Sequence, residues 1–194
     1  MARRKNFFLL ILLLMSFILS ACGPKEIPNA KNWAITDFTY TNQDEKSFGL
    51  SDLKGKVWVA DFIFTSCADV CLPMTNNMAK LQKMLKDEGI KDVELVSFSV
   101  DPAVDTPERL KMFADNFEAD YSNWNFLTGY TQQEIEQKGV KDFKTVVKKP
   151  EDQDQVIHGT DFYLINQEGK IVKYYDGLDE IPYKEIIKDI KTIH

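Results

Sequence analysis

Lys56-Val-Trp-Val-Ala-Asp-Phe-Ile-Phe-Thr65 is nearly continuously apolar and rich in β-branched and aromatic residues. Such a run is stable as a strand only when both of its faces are covered, so it has to sit near the middle of a layered sheet. Two features follow it at once. The loop Thr65-Ser-Cys-Ala-Asp-Val-Cys-Leu-Pro73 carries two cysteines, and beyond it Val70, Met74, Met78, Leu81 and Leu85 recur at intervals of three or four. That spacing predicts a helix ending near Gly89. Soft sulfur would suit the two methionines as copper ligands, but helical spacing favours them as core packing.

The pattern then repeats. Val93 to Val100 reads as a second strand, and Thr106 as the N-cap of a helix with Pro107 in its first position. Trp124 to Thr128 reads as a short strand and Thr131 to Gly139 as a short helix. Before the central strand, the stretch from Trp33 to Phe48 reads as a hairpin around Asn42-Gln-Asp-Glu45, and Ser51 to Gly55 as a turn. Late in the chain, Phe143 to Val147 reads as a strand and Lys148 to Gln155 as a solvated, highly charged loop. Thr160 to Ile165 and Lys170 to Tyr175 pair around the turn Asn166-Gln-Glu-Gly169, and Pro182 to Ile193 closes the chain as a helix. This order predicts an α/β domain with right-handed crossovers between its parallel strands. The cysteine pair at the first strand-to-helix junction and the terminal hairpin plus helix make it thioredoxin-like. The expectation is a central mixed sheet flanked by helices, an N-terminal β-hairpin extension, and an inserted hairpin or loop before His158.

The first residues set Arg3, Arg4 and Lys5 before an apolar run from Phe7 to Leu19 that ends in Leu19-Ser-Ala-Cys22. These are the three regions of a secretory signal, and the run is shorter than the roughly 20 residues a spanning helix needs. The small residues before cysteine resemble the lipobox of bacterial lipoproteins, with an uncleaved anchor as the other reading. The expected organisation is a signal peptide over 1–21, a tether over 22–32 starting at a lipidated Cys22, and one domain over 33–194. Such a protein is lipid-anchored at the extracytoplasmic face of the cell membrane. The leader holds three basic and no acidic residues, so the remainder has 21 Lys and Arg against 30 Asp and Glu, a net charge of −9. That acidic surface excludes nucleic acid as a partner.

With Cys22 assigned to lipid, Cys67 and Cys71 form a single pair in an oxidising compartment, where a disulfide is chemically allowed. Four residues apart at the start of a helix, their sulfurs share one face and their thiolates are favoured by the helix dipole. A purely stabilising disulfide is disfavoured, because closing so short a loop removes little unfolded-state entropy. Two histidines are available. His194 is the last residue and reads as a solvated terminus. His158 stands just before the strand from Thr160, where a thioredoxin-like fold brings a loop over the cysteines. Two thiolates and one imidazole make a soft, three-ligand set that suits copper. Structural zinc takes four ligands, and here Asp69 or water would have to supply the fourth.

The blocks TSCADVCLPMTNNM, VSFSVDPAVDTPERL and HGTDFYLINQEGKIV, in this order and spacing, resemble the Sco (SenC) family of copper-binding proteins, named for synthesis of cytochrome c oxidase. The resemblance covers most of the domain. It implies a thioredoxin fold and one copper ion, Cu(I) or Cu(II), held by Cys67, Cys71 and His158. It also implies a role in assembling the CuA centre on the CuA-bearing subunit of cytochrome c oxidase. The chain departs from the family's CPxxCP in Ala68 and Leu72, with proline delayed to Pro73, which leaves the ligands intact and bears on loop rigidity. Asp101 and Asp105 match acidic positions of the family and lie near the site, or serve turn formation and helix capping.

A second function class stays open. As a thiol-disulfide oxidoreductase, the chain would use Cys67 and Cys71 as a redox pair, supplied by a thiol reductant, to keep the oxidase's CuA cysteines reduced. Peroxidase chemistry is a weaker form of that reading. Arg109, the one arginine beyond the leader, reads as part of a helix start and not as a partner for a thiolate.

Overall fold

The computed structural model describes residues 26–194. The signal peptide 1–21, Cys22 and the first residues of the tether lie outside the described residues. Ten strands and four helices follow one another: β1 (Trp33–Ala34), β2 (Thr39–Asn42), β3 (Ser47–Gly49), β4 (Val57–Ile63), α1 (Cys71–Asp87), β5 (Val93–Ser99), α2 (Pro107–Asp115), β6 (Trp124–Thr128), α3 (Gln132–Lys138), β7 (Val147–Lys148), β8 (Ile157–His158), β9 (Asp161–Ile165), β10 (Lys170–Asp176) and α4 (Tyr183–Ile193). Eight strands form one mixed sheet in the order β1-β10-β9-β4-β5-β6-β2-β3. β4, β5 and β6 are parallel, and the pairings that extend the sheet on either side are antiparallel. The fold is thioredoxin-like.

All seven residues of β4 are buried, as its unbroken apolar run demands. One face of the sheet carries an aromatic cluster in which Phe62 and Tyr163 meet Phe143, each with ring centroids 4.9 Å away, and Phe98 packs 5.7 Å from it. Phe143 ends a π-type turn, Gly139–Phe143, that continues α3. The segment Phe143 to Val147 is therefore no strand: Phe143 is drawn onto the sheet face, Lys144 turns left-handed at φ 57°, and only Val147 and Lys148 pair as β7. α1 and α4 share the opposite face. There Tyr183 Oη donates to Asn77 Oδ1 at 3.1 Å, and Tyr175 Oη of β10 donates to Asp189 at 2.8 Å. Met74 and Met78 are fully buried on α1, in the core role their spacing predicts.

The hairpin expected over Trp33 to Phe48 is split. β2 and β3 form its paired part and extend the main sheet beside β6. Trp33 and Ala34 instead pair with β10 at the far rim. Ile35 and Phe38, both buried, cover the crossing between the rims. Packing begins upstream of Trp33: Ile27 is buried, and the Lys31 N–H donates to Val172 O at 3.0 Å. Both rims are short, two residues in β1 and three in β3.

One ion pair is enclosed beside this crossing. Lys138 Nζ donates to Asp142 Oδ2 at 2.8 Å with both side chains buried, and the Thr36 N–H and Oγ1–H donate to the same oxygen at 3.2 and 2.8 Å. Burial holds the Lys138 ammonium below the usual lysine range, against the opposing pull of Asp142. Removing one partner of an enclosed pair strands the other charge. Asp142→Ala is expected to cost about 3–5 kcal/mol. Replacing both residues with apolar ones of similar volume should cost markedly less, and urea denaturation of the two variants checks the difference.

Candidate metal centre

The ends of β4 and β9 position the site. Because these strands are antiparallel, with Trp58 opposite Ile165 and Ala60 opposite Tyr163, the start of β9 lies beside the end of β4. The chain leaving β4 carries the cysteine loop, and the chain arriving at β9 carries His158 in the small β7–β8 ladder, where Val147 pairs with His158. Gly159 makes this approach possible: a Cβ there would collide with the Thr145 hydroxyl. Phe64, buried behind the site, meets the His158 ring edge-on at 5.8 Å between centroids.

Cys67 Sγ, Cys71 Sγ and a ring nitrogen of His158 all lie within 4.8 Å of one another, and among the described residues this is the metal-capable group. Neither cysteine is in a disulfide. His158 Nδ1 stands 2.8 Å from Gly159 O, which can only accept, so Nδ1 carries a proton. That assignment turns Nε2 toward Cys71 Sγ, 3.4 Å away, with its lone pair free when the ring is neutral. Two sulfurs and an imidazole nitrogen fit a soft or borderline ion and not magnesium or calcium. His194 is exposed at the end of α4, outside the group, and Asp69 also stands outside it.

The two cysteines are not equivalent. Only Cys71 is helical, at the first position of α1, whereas Cys67 sits in the loop before it and its sulfur accepts the Cys71 N–H at 3.4 Å. Cys67 is half-buried and its thiol is lowered to about 3, chiefly by the Cys71 thiol, then by the His158 ring and the N–H groups of Asp69 and Cys71, with partial burial opposing. Cys71 is fully buried and moves the other way, raised by the Cys67 thiolate and by burial. One proton is thus shared unequally, with the accessible sulfur as anion.

Of the acidic residues of the second block, Asp105 braces the loop from behind. Asp105 accepts from Thr65 Oγ1 and Ser99 Oγ, both at 2.6 Å, and from the Thr65 N–H at 3.2 Å. Burial nonetheless raises its carboxyl above the usual range. Asp101, also buried, pairs with Lys149 Nζ at 2.7 Å. The charged excursion from Lys148 to Gln155 is therefore not simply solvated: Gln155 reaches the cysteine loop, donating to Ser66 O at 3.1 Å and accepting from Ala68 N at 3.3 Å. The Arg109 guanidinium also extends beyond its helix start, donating to Ser66 Oγ at 3.1 Å and Thr65 Oγ1 at 3.4 Å.

Asp61 was not marked by any motif, although a lone carboxylate inside an apolar strand is itself a signal. It is fully buried in β4, and neither of its oxygens has a hydrogen-bond partner. Ser97 stands opposite it in register but outside bonding geometry, and its Oγ accepts from Trp124 Nε1 at 3.0 Å. Burial pushes the Asp61 carboxyl up to about 7, against weaker pulls from the Ser97 hydroxyl and the His158 ring.

The SCO1/SenC family model matches residues 28–194. The chain belongs to the SCO1/SenC family. A SCO1 protein homolog of Bacillus subtilis is 51% identical over 179 residues, covering 92% of each chain. A SCO1/SenC family lipoprotein of Bacillus anthracis has a solved structure with a TM-score of 0.84 and 54% identity, covering 86% of this chain and 98% of that one. BsSco, a member of the Sco family of cytochrome c oxidase assembly proteins in which a disulfide switch was identified, matches with a TM-score of 0.80 and 51% identity, covering 87% and 97%. ScoI of Bradyrhizobium japonicum, solved with copper bound, matches at 0.67 and 26% identity, covering 83% and 99%. No helix among the described residues is long and apolar enough to cross a membrane.

Two measurements test the electrostatics of this SCO1/SenC site. Alkylation of Cys67 by iodoacetamide in the reduced protein should be nearly flat from about pH 5 to 8, where an ordinary thiol gains about tenfold per unit. For Asp61, the native state keeps its proton up to about pH 7 while the unfolded chain has lost it above the usual carboxylate range. Its contribution to stability therefore falls as pH rises across that window and levels off above it. The pH dependence of urea stability in Asp61→Asn, which cannot ionise, should differ from wild type by at most about 4 kcal/mol between those limits.

Proposed function

We propose that the chain is a copper metallochaperone: it takes one copper ion as cargo through Cys67 Sγ, Cys71 Sγ and His158 Nε2 and delivers it to the CuA-bearing subunit of cytochrome c oxidase. The observation that carries this reading is the convergence of those three donors, within 4.8 Å, at the exposed end of the first strand-to-helix junction. Capture needs a nucleophilic, accessible sulfur, which Cys67 supplies as a thiolate. Retention needs a ligand that stays put, which the helix-borne Cys71 and the carbonyl-anchored His158 supply. Three ligands also leave an open position from which a partner's thiolate can take the ion by exchange. The copper-bound Bradyrhizobium relative and the assembly role of BsSco support both cargo and recipient. The leader ending in Cys22, with the Bacillus anthracis relative described as a lipoprotein, supports a lipid anchor at the extracytoplasmic membrane face beside that recipient.

The inequality of the cysteines favours a second reading, thiol-disulfide exchange. Cys67 thiolate would attack a disulfide of the oxidase subunit and expel one thiolate. Cys71 would then attack Cys67 in the mixed disulfide, releasing the second thiolate. The chain is left as a Cys67–Cys71 disulfide and the subunit gains two electrons, which a thiol reductant restores to the chain. His158 is dispensable for this exchange and essential for copper, so one variant separates them. His158→Ala should weaken copper binding by more than about 100-fold, beyond the loss from an outer ligand partner. It should also abolish the thiolate-to-Cu(II) absorption band while leaving dithiol turnover in place. Unchanged affinity in that variant, measured by titration against a chelator, sinks the three-ligand site.

A further inference from the structure

The excursion between β7 and β8 is fastened at both ends. At its start, Lys149 pairs with buried Asp101, its N–H donates to Glu136 Oε1 at 3.0 Å, and Lys148 Nζ donates to Glu136 Oε2 at 3.1 Å. At its end, three residues before His158, the Gln155 side chain donates to Ser66 O and accepts from Ala68 N. These two backbone groups flank Cys67. Ser66 O can only accept and Ala68 N–H only donate, which fixes the orientation of the amide. Among the described residues, Arg109 also reaches the loop, but at the Thr65 and Ser66 hydroxyls and not at the backbone beside Cys67, and from a different element. Among the described residues, Gln155 alone bridges the backbone on both sides of Cys67, and it lies on the segment that leads into β8 and His158.

We propose that Gln155 is a positioning residue of this site, a two-point clasp that holds the Cys67 loop against the His158 strand and so slows departure of the ion. The clasp rests on the copper reading for its effect on cargo, while its effect on the loop is independent of any metal. A glutamine suits the task because its amide holds an N–H donor group and a carbonyl acceptor side by side in one plane, as a neighbouring strand would. Alanine offers neither. Glutamate retains the acceptor for Ala68 and loses the donor for Ser66.

The test uses the reduced protein with wild-type, Gln155→Ala and Gln155→Glu sequences. In metal-free protein, amide hydrogen exchange at Ala68 should speed up by about three- to tenfold in Gln155→Ala and stay slow in Gln155→Glu. Loss of Cu(I) to a chromogenic chelator should be faster in Gln155→Ala by a similar factor, about three- to tenfold, with the thermal midpoint nearly unchanged. Wild-type exchange at Ala68 in Gln155→Ala overturns the clasp, and so does wild-type copper release despite faster exchange. Failure of the wild-type protein to hold Cu(I) strikes the copper reading instead, and the clasp then stands or falls on the exchange result alone.

Discussion

The antiparallel pairing of β9 with β4 is the contact on which the site depends. Parallel neighbours of β4 present their chain ends in the same direction, so β5 can brace the cysteine loop only from behind, through Asp105 and Ser99. An antiparallel neighbour instead begins where β4 stops. That reversal carries His158 to the cysteines without a long connection, and the rings of Phe64 and His158 then pack at the junction. The site is thus a property of sheet topology before it is a property of the loop.

Unequal burial does the rest. Two identical thiols, one half-buried and one enclosed at the start of α1, become an anion and a proton donor. The His158 ring is oriented by its own backbone neighbour, so its second nitrogen is left facing sulfur. Beneath them Asp61 keeps a carboxyl group inside the central strand with neither oxygen partnered, where Asp142 and Gln132 each leave only one side-chain oxygen unpartnered.

Much of this was readable along the chain. The buried run at β4, the stripe of α1, the Thr106 cap and the late hairpin are patterns of local period and chemistry, and each appears where expected. His158 was placed by its position just before a strand. What stayed hidden depends on contacts distant in sequence. Phe143 and Val147 look like a strand until Phe62, Phe98 and Tyr163 offer Phe143 a place in the aromatic cluster. Trp33 has the alternation of a hairpin but pairs 138 residues downstream, with Ile171. Gln155 and Arg109 sit in hydrophilic segments whose targets, Ser66 and Ala68, no period could indicate.

The short rims of the sheet have a consequence beyond folding. A sheet edge is a template for another strand, and its reach grows with the length of unpaired backbone it presents. Here β1 ends one rim after two residues and β3 ends the other after three. β1 and β3 themselves therefore give a second copy little to zip onto, and the edge that a crowded neighbour could reach is the later part of β10, which runs past β1 to Asp176.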